Sequence, residues 1–147
     1  MKTIFDDVSY HCSKIVTKSY STSFSMATKM LAPSIRADIY NIYGFVRFAD
    51  EIVDTFHDYD KAKLFDDFEK DMEQAIADKI SLNPILNSFQ DTYHKYDIPH
   101  HLVASFMKSM RMDLTKKNYE TFDTQNYLWN TTNRHIFLDA KKYFEKL

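Results

Sequence analysis

The sequence predicts an all-α fold, a helical bundle, on three observations: apolar residues recur at spacings of three and four, strand-like alternation is absent, and glycine is almost missing. One glycine and three prolines in 147 residues leave little room for hairpins, which long helices do without. Apolar residues make up 44% and aromatic residues 16% of the chain, enough for a hydrophobic core and too much for disorder. No repeat, low-complexity tract or linker interrupts the pattern, so residues 1–147 read as a single domain.

Helical punctuation orders the elements. A first helix is expected from about Asp7 to Lys18, followed by the Ser/Thr-rich segment Ser19-Tyr20-Ser21-Thr22-Ser23. Pro33 suits a helix start, where its missing N–H is not needed, and the pattern then stays helical to about Phe56. Asp60 can cap a helix carrying Leu64, Phe65, Phe68, Met72, Ala75 and Ile76 on one face. Asn83-Pro84 opens another, to about Tyr96, and Pro99 begins one that runs to about Leu114. A last helical stretch is expected after Asp123.

Composition also excludes. A net charge of −2 gives no electrostatic case for nucleic acid. Cys12 is the single cysteine, so neither an internal disulfide nor a thiolate zinc site can form. One glycine rules out a Gly-rich phosphate loop. No apolar run has the length of a membrane span, and the N-terminus turns acidic at Asp6-Asp7 before a signal core could form. A cytoplasmic protein is expected, with peripheral membrane contact left open.

Residues 34–56 carry the most information. Ile35, Ile39, Ile42, Val46, Ala49 and Val53 form one apolar stripe, and Phe45, Phe48, Ile52 and Phe56 form a second, so this helix should be buried on more than one face. Arg36, Tyr40, Tyr43, Arg47, Asp50 and Asp54 step by 4, 3, 4, 3 and 4 along one line. Gly44, beside that line, weakens the helix by about 1 kcal/mol relative to alanine. Close packing or close ligand approach would explain it. Asp50 and Asp54, one turn apart, can aim two carboxylates at Mg²⁺, which takes hard oxygen ligands and is held by one or two carboxylates plus phosphate oxygens. Arg47 can grip a diphosphate directly. A plainer reading stands beside this. Acid pairs at the same spacing recur at Asp54/Asp58, Asp67/Asp71 and Glu69/Glu73, and Arg47 could simply pair with Asp50 or Glu51. A working site puts Asp50, Asp54, Arg47 and Tyr43 along a common groove; a structural seam pairs them with one another or splays them into solvent.

Three strings in order, Ser21-Thr22-Ser23-Phe24-Ser25, Leu31-Ala32-Pro33 with Arg36, and Tyr43-Gly44-Phe45-Val46-Arg47-Phe48-Ala49-Asp50-Glu51-Ile52-Val53-Asp54, resemble the opening of squalene/phytoene synthases. Those enzymes carry a serine-rich S-x-S-F segment, a proline-led helix and Y-x-x-x-R-x-x-D-D-x-x-D. The likeness runs from about residue 7 to 128, through Arg111-Met112-Asp113-Leu114 and Tyr119-Glu120-Thr121, and is nearest to bacterial phytoene synthases. It implies part of an isoprenoid-synthase fold and the head-to-head condensation of two prenyl diphosphates, geranylgeranyl diphosphate to phytoene in carotenoid biosynthesis being the favoured branch. By position it implies Asp50 and Asp54 as ligands of Mg²⁺, with Mn²⁺ as an alternative. Arg47 and Tyr43 would contact diphosphate, Ser21 and Ser23 would lie in a flap over it, and Phe24 would line the prenyl pocket. Glu51 stands where the family commonly has a second Asp, which keeps the charge.

The resemblance breaks after Leu128. Residues 129–147 read as a divergent tail, and no acid pair at i,i+4 follows Asp113 to supply the family's second aspartate-rich motif. The expectation is a truncated or frame-shifted domain that lacks synthase activity by itself, binds prenyl diphosphate weakly and self-associates through apolar faces made for absent partners. The alternative is a non-catalytic helical interaction module in which the Asp50/Asp54 seam is structural.

Overall fold

The computed structural model describes residues 1–115, and every regular element in that range is a helix: α1 (Lys2–Tyr20), α2 (Thr22–Thr28), α3 (Pro33–Asp54), α4 (Lys61–Asp78), α5 (Pro84–Lys95) and α6 (His100–Thr115). The chain divides into two units after Lys95, with α1 to α5 in the first and α6 in the second. The helix expected after Asp123 and the tail 129–147 lie outside the described residues. Among the described residues no helix is long and apolar enough to cross a membrane.

Local chemistry fixes most boundaries. Pro33 occupies the first turn of α3, and Asp60 accepts the Lys63 amide at 3.1 Å to cap α4. Asn83 Oδ1 accepts the Ile85 amide at 3.0 Å ahead of α5. The first helix starts earlier than the Asp7 expected from the apolar spacing, with Lys2 paired to Asp6 across its first turn at 2.8 Å. The Ser/Thr-rich segment proves to be a junction of one residue. Ser21 is extended (φ −147°, ψ 95°); its amide donates to Thr17 O at 2.9 Å, ending α1, and its hydroxyl accepts the Phe24 amide at 3.2 Å, starting α2. With a single glycine in the chain, a left-handed turn must use another residue: Lys79 (φ 59°) closes α4 and Asp97 (φ 50°) follows α5.

The first unit has two kinds of interior. Between α3, α4 and α5 it is apolar: Phe45 stacks on Phe68 at 5.5 Å and on Phe89 at 4.0 Å, with Phe65, Met72, Ala75 and Leu86 buried around them. Leu64, expected on the buried face of α4, is instead exposed, because the face centres on Phe65, Phe68 and Met72. Between α1, α3 and α5 the interior is small and polar. Ser9, Ser13 and Thr17 of α1 are fully buried, the Ser13 and Ser88 hydroxyls are hydrogen-bonded, and Asn87 donates to Ser9 at 3.1 Å and to Asp6 at 3.0 Å. Thr92 accepts from Asn41 and donates to Asp38, both at 3.0 Å, and Lys95 pairs with Asp38 at 2.8 Å. Gly44 lies in this interface, where a Cβ would come 3.2 Å from Ser13 Oγ. Close helix packing therefore accounts for the glycine.

Candidate functional site

The line of polar residues along α3 separates into three environments. At its start, Arg36 turns back to the chain entering the helix, donating to Leu31 O at 2.9 Å and Lys29 O at 2.7 Å. It braces the α2–α3 turn and is not part of a site. Tyr40 is buried in the core. Of the remaining four, Tyr43 and Arg47 meet the residues flanking the Ser21 junction, and Asp50 and Asp54 follow them along α3.

That meeting follows from the one-residue break at Ser21. It leaves Tyr20 at the end of α1 and Phe24 in the first turns of α2, both against α3. The Phe24 and Tyr43 rings stack at 4.8 Å with an interplanar angle of 23°. The Arg47 guanidinium carbon sits 4.4 Å from the centroid of the Tyr20 ring, a cation–π contact. Ser23 is exposed on α2, whereas Ser21 spends its hydroxyl oxygen on the Phe24 amide. Sequence reading missed Tyr20, since nothing in linear spacing says that the last residue of α1 would cover Arg47.

Arg47 carries the local ion pairing. Its Nη1 lies 2.8 Å from Asp50 Oδ2, and its Nη2 donates to Glu51 Oε1. Burial works against its charge, but Glu51 and Asp50 more than offset that and hold it firmly protonated. This ion pairing is what a purely structural seam predicts, and it engages both of the partners, Asp50 and Glu51, that the helical spacing offered as alternatives.

Asp50 does not behave as a satisfied member of such a pair. Its side chain is 2% exposed, and Oδ1 is buried without a hydrogen-bond partner. Burial first, then the hydrogen bond and charge of Asp54, push its carboxyl up to about 8, against the opposing pull of Arg47. One guanidinium shared between Asp50 and Glu51, with Asp54 alongside, leaves the cluster short of positive charge. Asp54 itself is exposed at the end of α3. Burial also raises the Tyr43 phenol, with Arg47 and the Ser21 hydroxyl opposing, so Tyr43 stays a hydrogen-bond donor at neutral pH. Among the described residues no group of three or more His, Cys, Asp or Glu is arranged to hold a metal ion by itself. An ion here would use two carboxylates and take its other ligands from water or a bound anion, the usual habit of Mg²⁺.

Comparison with known proteins bears on the same segment. The family model for squalene/phytoene synthase matches residues 17–134. Phytoene synthase 3 of Zea mays is 28% identical over 115 residues, covering 78% of this chain and 27% of the relative. The phytoene synthase of Arthrospira platensis is 26% identical over 119 residues, covering 80% and 38%. The crystal structure of squalene synthase HpnC from Alicyclobacillus acidocaldarius superposes with a TM-score of 0.71 at 20% identity, covering 88% of this chain and 48% of that one. The chain thus spans less than half the length of each of these proteins.

Proposed function

The chain belongs to the squalene/phytoene synthase family, and on that premise we propose that its α3 site binds the diphosphate of a prenyl diphosphate together with Mg²⁺, Mn²⁺ being able to substitute. The observation that carries this reading is the state of Asp50: buried, with an oxygen lacking any partner, and pushed toward protonation beside Asp54. A dication between the two carboxylates would satisfy that oxygen and replace the shared proton. When bound, it would supply electrostatic stabilisation of the charge gathering on a leaving diphosphate.

The chain's own residues do the rest. Arg47, seated over the Tyr20 ring, can exchange one carboxylate for a pair of phosphate oxygens, which its planar fork matches. Tyr43 donates its phenolic proton to the same diphosphate. The Phe24–Tyr43 stack offers an apolar wall for the first isoprene unit of the chain. The reaction we assign to the site is ionisation of an allylic diphosphate within a head-to-head condensation, the phytoene branch being favoured because phytoene synthases are among the relatives in sequence.

The ion pairing of Arg47 with Asp50 and Glu51 favours the competing, structural reading, and one experiment separates the two. Calorimetric titration of geranylgeranyl diphosphate with Mg²⁺ into the chain is expected to give weak, saturable binding. Asp50→Asn with Asp54→Asn should weaken it at least tenfold while leaving the helical circular dichroism intact. The matching pair Asp67→Asn with Asp71→Asn, on the exposed side of α4, should leave it unchanged. Absence of binding, or binding indifferent to Asp50 and Asp54, would favour the structural reading.

A further inference from the structure

The first helix is amphipathic in reverse. The face it turns into the protein carries Ser9, Ser13 and Thr17, all at 0% exposure, while Ile4, Val8 and Ile15 are 62%, 54% and 50% exposed. At 100° per residue the two sets lie on opposite sides of the helix. Small hydroxyl residues let α1 approach α3 and α5 closely, and branched aliphatic side chains face water. Phe5, Cys12 and Val16 are half-buried between the two sets, and the outward stripe of Ile4, Val8 and Ile15 has no cover among the described residues.

The outward stripe has a register. Ile4, Val8, His11 and Ile15 step by 4, 3 and 4, the spacing of a coiled-coil seam. Asp7 and Lys14 flank it on one side, seven residues apart and therefore at equivalent positions. Neither makes an ion pair among the described residues. When two copies of this helix lie antiparallel about a twofold axis between Val8 and His11, Ile4 meets Ile15 of the second copy and Val8 meets His11. In the same register each Asp7 faces the other copy's Lys14, so the charge pair forms twice. A parallel pairing would set Asp7 beside Cys12 and Lys14 beside Ser19 of the other copy, where neither meets an opposite charge. The stripe and its flanking charges thus complement themselves in one orientation only.

We propose that α1 is a homodimerisation helix, and that the occupant of its exposed face is α1 of a second copy of this chain, packed antiparallel in that register. A seam of two heptads is marginal between free peptides because helix nucleation opposes it. Here α5 already holds α1 helical through the Ser9–Asn87 and Ser13–Ser88 hydrogen bonds, so that obstacle is gone.

Sedimentation equilibrium of the whole chain tests the proposal. A concentration-dependent monomer–dimer equilibrium is expected, and Val8→Glu should leave monomer at every concentration. Asp7→Lys and Lys14→Asp should each weaken the dimer by roughly tenfold, since each turns both pairs repulsive. Combining the two reversals should restore the dimer to near its original affinity. Asp7 and Val8 are exposed and Lys14 is half-buried at the edge of the same face, so circular dichroism should be unaltered. A monomeric wild type would overturn the proposal, the face then belonging to some other partner. A dimer indifferent to the single reversals, or not restored by the double one, would overturn the antiparallel register and with it the proposal.

Discussion

Arg47 is the residue on which the site turns, because it occupies the place a cation would take. With its guanidinium 2.8 Å from Asp50, it competes with any metal for that carboxylate. Arg47→Gln should therefore bind Mn²⁺ alone several-fold more tightly than wild type while binding inorganic pyrophosphate more weakly. Equal or weaker Mn²⁺ binding by the variant, measured by electron paramagnetic resonance, would contradict the competition. Asp50 gives a second signature in the metal-free chain. Its folded value of about 8 lies above the value near 3.9 of an unfolded Asp, so the folded state holds an extra proton between those limits. The stability tied to that proton is full below about pH 4 and is lost as the pH rises through about 8. Asp50→Asn mimics the protonated acid, so with chelator present its urea midpoint should pull ahead of the wild type as the pH rises across this window. A gap that stays constant would argue against a buried, protonated Asp50. The spacing of Tyr43, Arg47, Asp50 and Asp54 was legible because all four lie on one helix. The pairing of Arg47 with Asp50 or Glu51 was legible for the same reason, whereas Tyr20 was not, since its place over Arg47 depends on how α1 ends against α3.

At the scale of elements, the helices were legible where a proline or a capping side chain marked them, as at Pro33, Asp60 and Asn83. What escaped was the polar interior between α1, α3 and α5, because Ser9, Ser13 and Thr17 read as surface residues until their partners on α5 are known. That interior makes its own predictions. Thr92→Val removes the hydroxyl that links Asn41 to Asp38 and should destabilise the first unit by about 1–3 kcal/mol, read as a lower urea midpoint at unchanged slope. Gly44→Ala gains about 1 kcal/mol of helix propensity but sets its Cβ 3.2 Å from Ser13 Oγ, which is tied to Ser88. It should be no better than neutral alone, and more favourable when Ser13→Ala has removed that oxygen. Simple additivity of the two changes in a double-mutant cycle would refute the contact. Lys79, left-handed and exposed at the end of α4, should accept glycine with a gain of about 0.5–1 kcal/mol.

For the whole molecule, the family was legible because three separate strings kept their order and spacing, and the match over residues 17–134 bears that out. The all-α class was legible from the scarcity of glycine and the spacing of apolar residues, and the described residues contain helices alone as regular elements. The division after Lys95 was not, since Tyr96-Asp97-Ile98-Pro99 reads as an ordinary helix–helix turn. The candidate site lies wholly in the first unit, drawn from α1, α2 and α3. Its claim to bind a metal–diphosphate pair can thus be tested on the chain as it stands. The most direct measurement is the paramagnetic resonance of Mn²⁺ with inorganic pyrophosphate, titrated with wild type and with the Asp50→Asn, Asp54→Asn double variant. The expected result is a broadened, protein-bound signal at one Mn²⁺–pyrophosphate per chain in the wild type, and only the solution complex in the variant. An identical spectrum from both proteins would contradict it.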